Sequence, residues 1–362
     1  MRREENRPRR ADSSDVAARA GVSRSTVSKV LNGREFGRIP ADTRQRVLAA
    51  AQELNYVRNN RAHALVTGRT QRIGVAINHP HGFRHQGNYH RDVLSGIFEG
   101  AVECNYNLLF HAVHHADWRA LYTDIIGGSA DGVLLVGNHM NVELAPALME
   151  SGFPTVFISH TPYAEAERVP MPHCQVVDSD NREGGYLLAS HLLSLGHRHI
   201  GLSTDSPPEL MPDWQWDRLQ GIYDAIDECA SGKDCRFEIY IAPRRSGVAS
   251  AELTFAHYQV HRPTAIILIN DEPGPELVEM FLEQGIRVPE DVSIVNYNSS
   301  EDCVRARVPL TSVWQPLHAI GLQAMRRLVT LLSGEEVTPE IIRYPVRLDI
   351  RASTVPSPHP PG

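Results

Sequence analysis

Lysine is almost missing from this chain. Of its 362 residues only Lys29 and Lys233 are lysines, so arginine carries nearly all of the positive charge. Cysteine is scarce and scattered: Cys104, Cys174, Cys229, Cys235 and Cys303 form no C-x-x-C pair. That odd, dispersed set argues against a disulfide framework and fits a reducing cytoplasm. No apolar run reaches the ~18–20 residues needed to cross a bilayer. The opening "MRREENRPRRAD" has no apolar core behind its charges, so neither a secretory leader nor a membrane partner is expected. G-x-G-x-x-G and G-x-x-x-x-G-K-[ST] do not follow any strand-like run, and no G-x-S-x-G elbow occurs; Gly184-Gly185 is only a pair. A nucleotide-dependent or hydrolytic enzyme therefore has no support, and no cofactor is expected.

What is present is unevenly charged. Residues 1–70 hold 15 Arg and Lys against 7 Asp and Glu, so they carry +8 and leave −15 to the remainder of a chain whose net charge is −7. A basic head on an acidic body suggests a polyanion partner for the head. Within that head, Asp15 to Ala20 reads as a short helix with Val16, Ala17 and Ala20 on one side, and Gly21 as a turn. A second helix follows Ser23, a good N-cap, with Val27, Val30 and Leu31 inward. A third runs from about Ala41 to Leu54 with Val47, Leu48, Ala51 and Leu54 as its stripe. Two short helices joined by a glycine turn fit a helix-turn-helix. On that geometry Arg24, Ser25, Ser28 and Lys29 face outward. Arg or Lys can reach guanine O6 and N7 in a major groove, and Ser23, Thr26 and Asn32 suit phosphate contacts. The plainer reading of the same spacing is a helical hairpin with a solvated polar face.

From Ile73 the chain alternates short apolar runs ("IGVAI", "NLLFHAV", "GVLLVG", "PTVFIS", "CQVVDS", "HIGLS", "FEIYIA", "AIILIN", "VSIVNYN") with amphipathic stretches such as Val93–Val102 and Leu277–Gln284. Buried strands alternating with helices mean parallel sheets covered on both faces. The units are too many for one sheet. The fold class expected is a small all-α head followed by a two-lobed α/β body, with a ligand crevice at the carboxyl ends of the strands.

"DVAARAGVSRSTVSKVLNG" closely resembles the DNA-binding head of the LacI/GalR family of bacterial transcription regulators, and "TRQRVLAAAQELNY", "RTQRIGV", "DNREGGYLLASHLLSLGHRHIGL", "RLQGI", "IIND", "VPEDVSIVNY" and "PLTSVWQP" follow in that family's order. The likeness covers nearly the whole chain. It implies a repressor-type regulator, no catalytic residues, and a body like periplasmic sugar-binding proteins. A homodimer would read a pseudo-palindromic operator, under control of a small sugar-like or sugar-acid effector. A free-standing solute-binding protein or a nucleotide-dependent enzyme is the alternative. The expected division is a disordered arm 1–11, the head 12–57, a hinge 58–71, a first lobe 72–171 plus 315–342, a second lobe 172–314 plus 343–354, and a disordered tail 355–362. The chain would pass between lobes near Pro170–Cys174, Asn298–Gln315 and Ile341–Pro345.

The resemblance also implies residue roles. Arg24, Ser25 and Lys29 occupy base-reading positions, and Ser28 and Tyr56 join Ser23, Thr26 and Asn32 as phosphate contacts. Asn59–Val66 occupies the hinge helix, with Asn59, Ala62, His63 and Leu65 facing the minor groove and Leu65 as its wedge. The chain departs from the pattern at Arg58, where the family has proline, at His63, where it has Arg or Lys, and at Asp12-Ser13, where it has Thr-Ile. In the body, matching positions imply a crevice lined by Arg218, Asn270, Asp271 and Asn298, with Trp214, Trp216 and Trp314 open to either ligand stacking or core packing. Where the family places carboxylates, this chain has Asn298 and Ser159-His160, groups that donate as well as accept. Those exchanges weaken a neutral polyol and leave room for carboxylate, carbonyl or phosphate oxygens on the ligand. His79, His81, His85 and His90 match no zinc spacing and read as loop or ligand contacts, so no metal is expected.

Overall fold

The computed structural model describes residues 11–31, 39–57, 64, 68–77, 89–111, 117–137, 143–162, 171, 174–229, 235–243, 247–270 (without the side chains of 247–249), 273–335 and 338–358. The chain divides into two compact units after Thr70.

In the head, α1 (Ser13–Ala20) starts two residues before the periodicity suggests, because Asp12 caps it. Asp12 Oδ1 accepts from the Ser14 amide at 2.7 Å and the Asp15 amide at 3.2 Å, while Asp15 Oδ2 accepts from the Asp12 amide at 2.8 Å. The departure at Asp12-Ser13 thus brings its own capping box. Gly21 ends α1 in the left-handed region (φ 66°), a conformation that costs glycine nothing. In α2 (Arg24–Leu31), Ser23 Oγ accepts from the Thr26 amide at 3.1 Å as the cap. Val27 and Val30 join Val16, Ala17, Ala20 and, from α3 (Ala41–Glu53), Val47 and Ala50 in one small core. Leu48 is a correction: it is 50% exposed. It lies a full 100° around the helix from Val47, on the far side from Ala50 and Leu54.

The body holds two sheets. The first has the order β11-β5-β4-β3-β1-β2, from β1 (Arg72–Ile77), β2 (Asn107–His111), β3 (Gly132–Val136), β4 (Thr155–Ile158), β5 (Gln175–Ser179) and β11 (Glu340–Tyr344), and every pairing is parallel. The second has the order β12-β10-β9-β8-β6-β7, from β6 (His199–Thr204), β7 (Arg236–Ile241), β8 (Ala265–Leu268), β9 (Ser293–Tyr297), β10 (Thr311–Trp314) and β12 (Arg347–Asp349). Only its β10–β12 pairing is antiparallel. The inner strands β3, β4, β5, β8 and β9 are buried along their whole length, as a sheet covered on both faces requires.

The first crossing between lobes is corrected by β5. "CQVVDS" was expected near the start of the second lobe, yet Val176 and Val177 pair with Phe157 and Ile158, so the chain leaves the first sheet at Asp180. A buried parallel strand carries no mark of which sheet it will join. The later passages follow Trp314 and Tyr344. Residues 355–357, expected in a disordered tail, instead dock on the second lobe. The Val355 amide donates to Ser293 Oγ at 3.2 Å and the Ser357 amide to the Leu195 carbonyl at 2.8 Å.

Helices α4 (Tyr89–Glu103), α5 (Trp118–Asp124) and α6 (Leu144–Glu150) lie between strands of the first lobe. In the second stand α7 (Asn181–Ser194), α8 (Asp213–Glu228), α9 (Gly247–His261), α10 (Gly274–Glu283) and α11 (Glu301–Arg305). The chain then returns through α12 (Leu317–Ser333) to pack on α4. The two lobes share one device. A Cβ on Gly96 would overlap the His318 carbonyl and one on Gly321 the Val93 carbonyl, so α4 and α12 cross backbone to backbone. Likewise Gly185 lies against the Arg218 carbonyl and Gly221 against that of Arg182, which brings α7 and α8 together. The second crossing fixes the backbone of Arg218.

Candidate functional site

The eight residues of α2 divide cleanly by face. Val27 and Val30 are buried, while Arg24, Ser25, Ser28 and Lys29 are exposed. At its N-terminus Ser23 Oγ lies 2.7 Å from Ser25 Oγ and 2.9 Å from Thr26 Oγ1, a hydroxyl cluster beside amides with no intrahelical acceptor. Tyr56 is half-buried against the head's core. Asn32 and the hinge positions Asn59, Ala62, His63 and Leu65 lie outside the described residues, as do Asp271, His79, His81 and His85.

In the body, the carboxyl ends of both sheets converge. Asp178 and Ser179 end β5, Ser159 follows β4, Asn270 follows β8, and Tyr297 ends β9 with Asn298 just beyond. Ser159 (φ 51°) and Asn298 (φ 70°) both adopt the left-handed region, uncommon backbone for non-glycine residues and one that clusters at ligand sites. Two bridges span the lobes. Asp213, the first residue of α8, accepts from the Thr161 amide at 2.5 Å and lies 3.3 Å from His160 Nδ1. Ser179 Oγ donates to Gln315 Oε1, and Gln315 Nε2 donates to Asn298 Oδ1.

Arg218 is buried at the centre. Its Nε donates to Asn181 Oδ1 at 2.9 Å and its Nη1 to the Ile269 carbonyl at 2.7 Å. Its guanidinium carbon lies 3.4 Å from the Tyr297 ring centre and 4.5 Å from that of Trp214. Asn181 Nδ2 in turn donates to Asp178 Oδ2 at 3.0 Å, and the Ser179 amide to Asp178 Oδ1 at 2.7 Å. Burial, then the neighbouring Asp213 carboxylate, push Asp178 up to about 7. Burial likewise pushes Tyr297 up to about 12 and raises Tyr89 well above the usual phenol range. Around them Tyr89 OH, Ser159 Oγ, Gln215 Oε1 and Tyr297 OH are buried without a hydrogen-bond partner among the described residues. Unsatisfied buried polar atoms are costly in a folded protein.

The structure therefore brings Arg218, Asn270, Asn298, Ser159 and Trp214 to the same crevice end. Trp314 lies farther along, in a hollow with Tyr89, Asn298 and Gln315, its ring 3.7 Å from the Arg347 guanidinium carbon. Trp216 packs against the second lobe's core. His90 is buried on α4, and no metal-ligand group occurs among the described residues. His197 is structural: it joins Thr264 Oγ1 at 2.9 Å to the Val355 carbonyl at 3.0 Å. Sequence reasoning missed Asp178, Asp213, Tyr297 and Gln315. One signal stood in "VVDSDN", where an acid ends a buried strand just ahead of the Asp180 helix cap.

Residues 14–59 match the bacterial regulatory proteins of the lacI family, and residues 189–354 match the periplasmic binding protein-like domain. The HTH-type transcriptional regulator CelR of Thermobifida fusca is 30% identical over 350 residues, covering 96% of this chain and 99% of its own. The chain belongs to the lacI family. Catabolite control protein A of Priestia megaterium is 26% identical over 346 residues, spanning 94% of this chain and 98% of its own. Among solved structures, a CelR–cellobiose complex aligns with a TM-score of 0.68 at 28% identity, over 95% of this chain and 100% of that one. A lac repressor dimer bound to operator and the anti-inducer ONPF gives 0.77 at 24% identity, over 96% and 100%, a likeness of fold. This lacI-family member is accordingly a DNA-binding transcriptional regulator with an effector-binding body, and not an enzyme. No described helix is long and apolar enough to cross a membrane.

Proposed function

We propose that the chain is an operator-binding repressor that acts as a homodimer and answers to a small polyhydroxyl effector held between its lobes. The observation that carries the DNA half is the divided face of α2. Arg24, Ser25 and Lys29 stand exposed on a helix whose opposite side is fixed by Val27 and Val30. These three read base edges; Ser23, Thr26, Ser28, Asn32 and Tyr56 hold phosphates and set register. The hinge positions Asn59, Ala62 and His63 face the minor groove, and Leu65 is its wedge.

The dimer reading is supported by apolar surface. On the first lobe Phe98 and Phe110 are exposed with ring centres 6.4 Å apart, beside Val102 at 80% exposure; on the second, α9 exposes Leu253 and Val260. Two heads on one two-fold would meet successive major grooves of a pseudo-palindrome. The effector reading draws on the crevice, whose Arg218, Asn270, Asn298, Ser159 and Trp214 surround unpartnered hydroxyls, with Asp271 and Trp314 completing the set. The relative captured with cellobiose points to the same chemistry. Anisotropy titrations of the full chain against a pseudo-palindromic duplex from its own upstream region test the reading. Affinity should exceed that for scrambled duplex and fall steeply with salt. Lys29→Ala should relax preference at one position per half-site by about 1–3 kcal/mol. Equal binding to both duplexes would refute the operator assignment.

A further inference from the structure

The crevice has a second compartment beside the Arg218 cluster. A hollow of about 310 Å³, part of it open to solvent, is lined by Tyr89, Asp92, Asn298, Ser299 and Trp314. Arg218, Asp178 and Ser159 do not line it. Tyr89 belongs to both places: its hydroxyl is buried beside Ser159 and Asp178, and the same residue walls the hollow. A space of this size is at the lower end for small-ligand pockets, room for one pyranose ring rather than a whole disaccharide.

The lining combines a flat aromatic face with polar groups of both kinds, as a carbohydrate requires. Trp314 ends β10 directly opposite Arg347 of β12. The Arg347 guanidinium carbon lies 3.7 Å from the ring centre, and Arg347 Nε donates to Asp349 Oδ1 at 3.0 Å. One face of the indole is thus covered by a side chain that is itself held, so the ring is set in advance to take a ligand on the other. The C–H face of a pyranose suits that π surface. Asp92, in the first turn of α4, accepts from Arg91 Nε through Oδ1 at 3.1 Å, and its second oxygen is an acceptor for a ring hydroxyl. Asn298 Oδ1 accepts from Gln315 Nε2, so Nδ2 is the donor its side chain offers. A single ring at the Arg218 end would leave Trp314 and Asp92 to water.

We infer that the effector is a glycan of at least two linked rings, one at the Arg218 end and the next in the hollow, stacked on Trp314 with its hydroxyls on Asp92 and Asn298. This rests on the reading of the crevice as the effector site.

Calorimetric titration of the full chain with glucose, galactose and xylose, and with cellobiose, maltose, lactose and xylobiose, is the test. At least one disaccharide is expected to bind at least about tenfold tighter than the monosaccharides that compose it. In Trp314→Ala that ratio should fall toward one, and Trp314→Phe, which keeps an aromatic face, should restore part of it. Asp92→Asn, a change at a partly exposed side chain that leaves the Trp314–Arg347 stack intact, should lower the same ratio. Monosaccharides that bind as tightly as every disaccharide, or a disaccharide preference that neither Trp314→Ala nor Asp92→Asn reduces, overturn the two-ring inference while leaving a polyhydroxyl effector standing. Silence from all seven sugars overturns the polyhydroxyl reading and the inference together.

Discussion

Gly185→Ala tests whether the crossing of α7 and α8 positions the effector site. The added methyl would overlap the Arg218 carbonyl, backbone against backbone, so no rotamer change relieves it and the helices must move apart. Overpacking of this kind costs about 3 kcal/mol at the upper end of the usual range. Alanine's better helix propensity returns about 1 kcal/mol. The net loss is about 2 kcal/mol, a fall in melting temperature of roughly 3 °C for a body this large. The functional consequence is separate. Moving the backbone of Arg218 strains its 2.7 Å bond to Ile269 and its 2.9 Å bond to Asn181, the link that reaches Asp178. Effector affinity should drop at least about tenfold, the worth of one such charge-assisted bond. Gly201→Ala is the control. Its methyl would overlap the Tyr240 ring at the other edge of the same lobe, destabilising without touching α7 or α8. Thermal melting and calorimetry with whichever saccharide binds the parent read both quantities. If Gly185→Ala melts lower yet binds as the parent does, the crossing is structural only and the reasoning fails.

Two further outcomes are expected. Ser23→Ala removes the cap of α2 and should cost the head about 1 kcal/mol, weakening operator and nonspecific DNA alike, in contrast to the selective loss from Lys29→Ala; anisotropy on both duplexes separates the two. Asp178 is raised from 3.8 to about 7 in the folded protein, so the native state holds a proton that the unfolded chain has lost between those values. Its contribution to stability therefore falls as pH rises from about 4 to about 7 and is level above. Asp178→Asn should flatten that slope and raise the melting temperature most above pH 7, and a slope unchanged by the substitution would remove the assignment.

The fold was legible where one pattern has one geometric meaning. Val27, Val30 and Gly21 allow α2 to sit only one way, and the nine apolar runs from Ile73 to Asn298 are β1 to β9, whereas the shorter β10, β11 and β12 gave no such run. It was not legible where identity depends on a distant partner. Val176 and Val177 suit any buried parallel strand; Phe157, Ile158 and β11, some 165 residues later, decide the sheet. Residues 355–357 open the proline-rich run VPSPHPPG, and only Ser293, His197 and Leu195 waiting on the second lobe make them ordered.

The same limit explains the reversal in the crevice. Asn298 and Ser159-His160 stand where the family resemblance implies acids, and position by position that reads as a site relieved of negative charge. The acceptors have moved rather than gone. Asp178 arrives because β5 belongs to the first sheet, and Asp213 because α8 begins against the strand-end loop that holds Thr161. Neither element can be matched to the crevice without the other lobe in place. Charge balance in a cleft is a property of the converging strand ends together, and a substitution at one of them says little until the others have been counted.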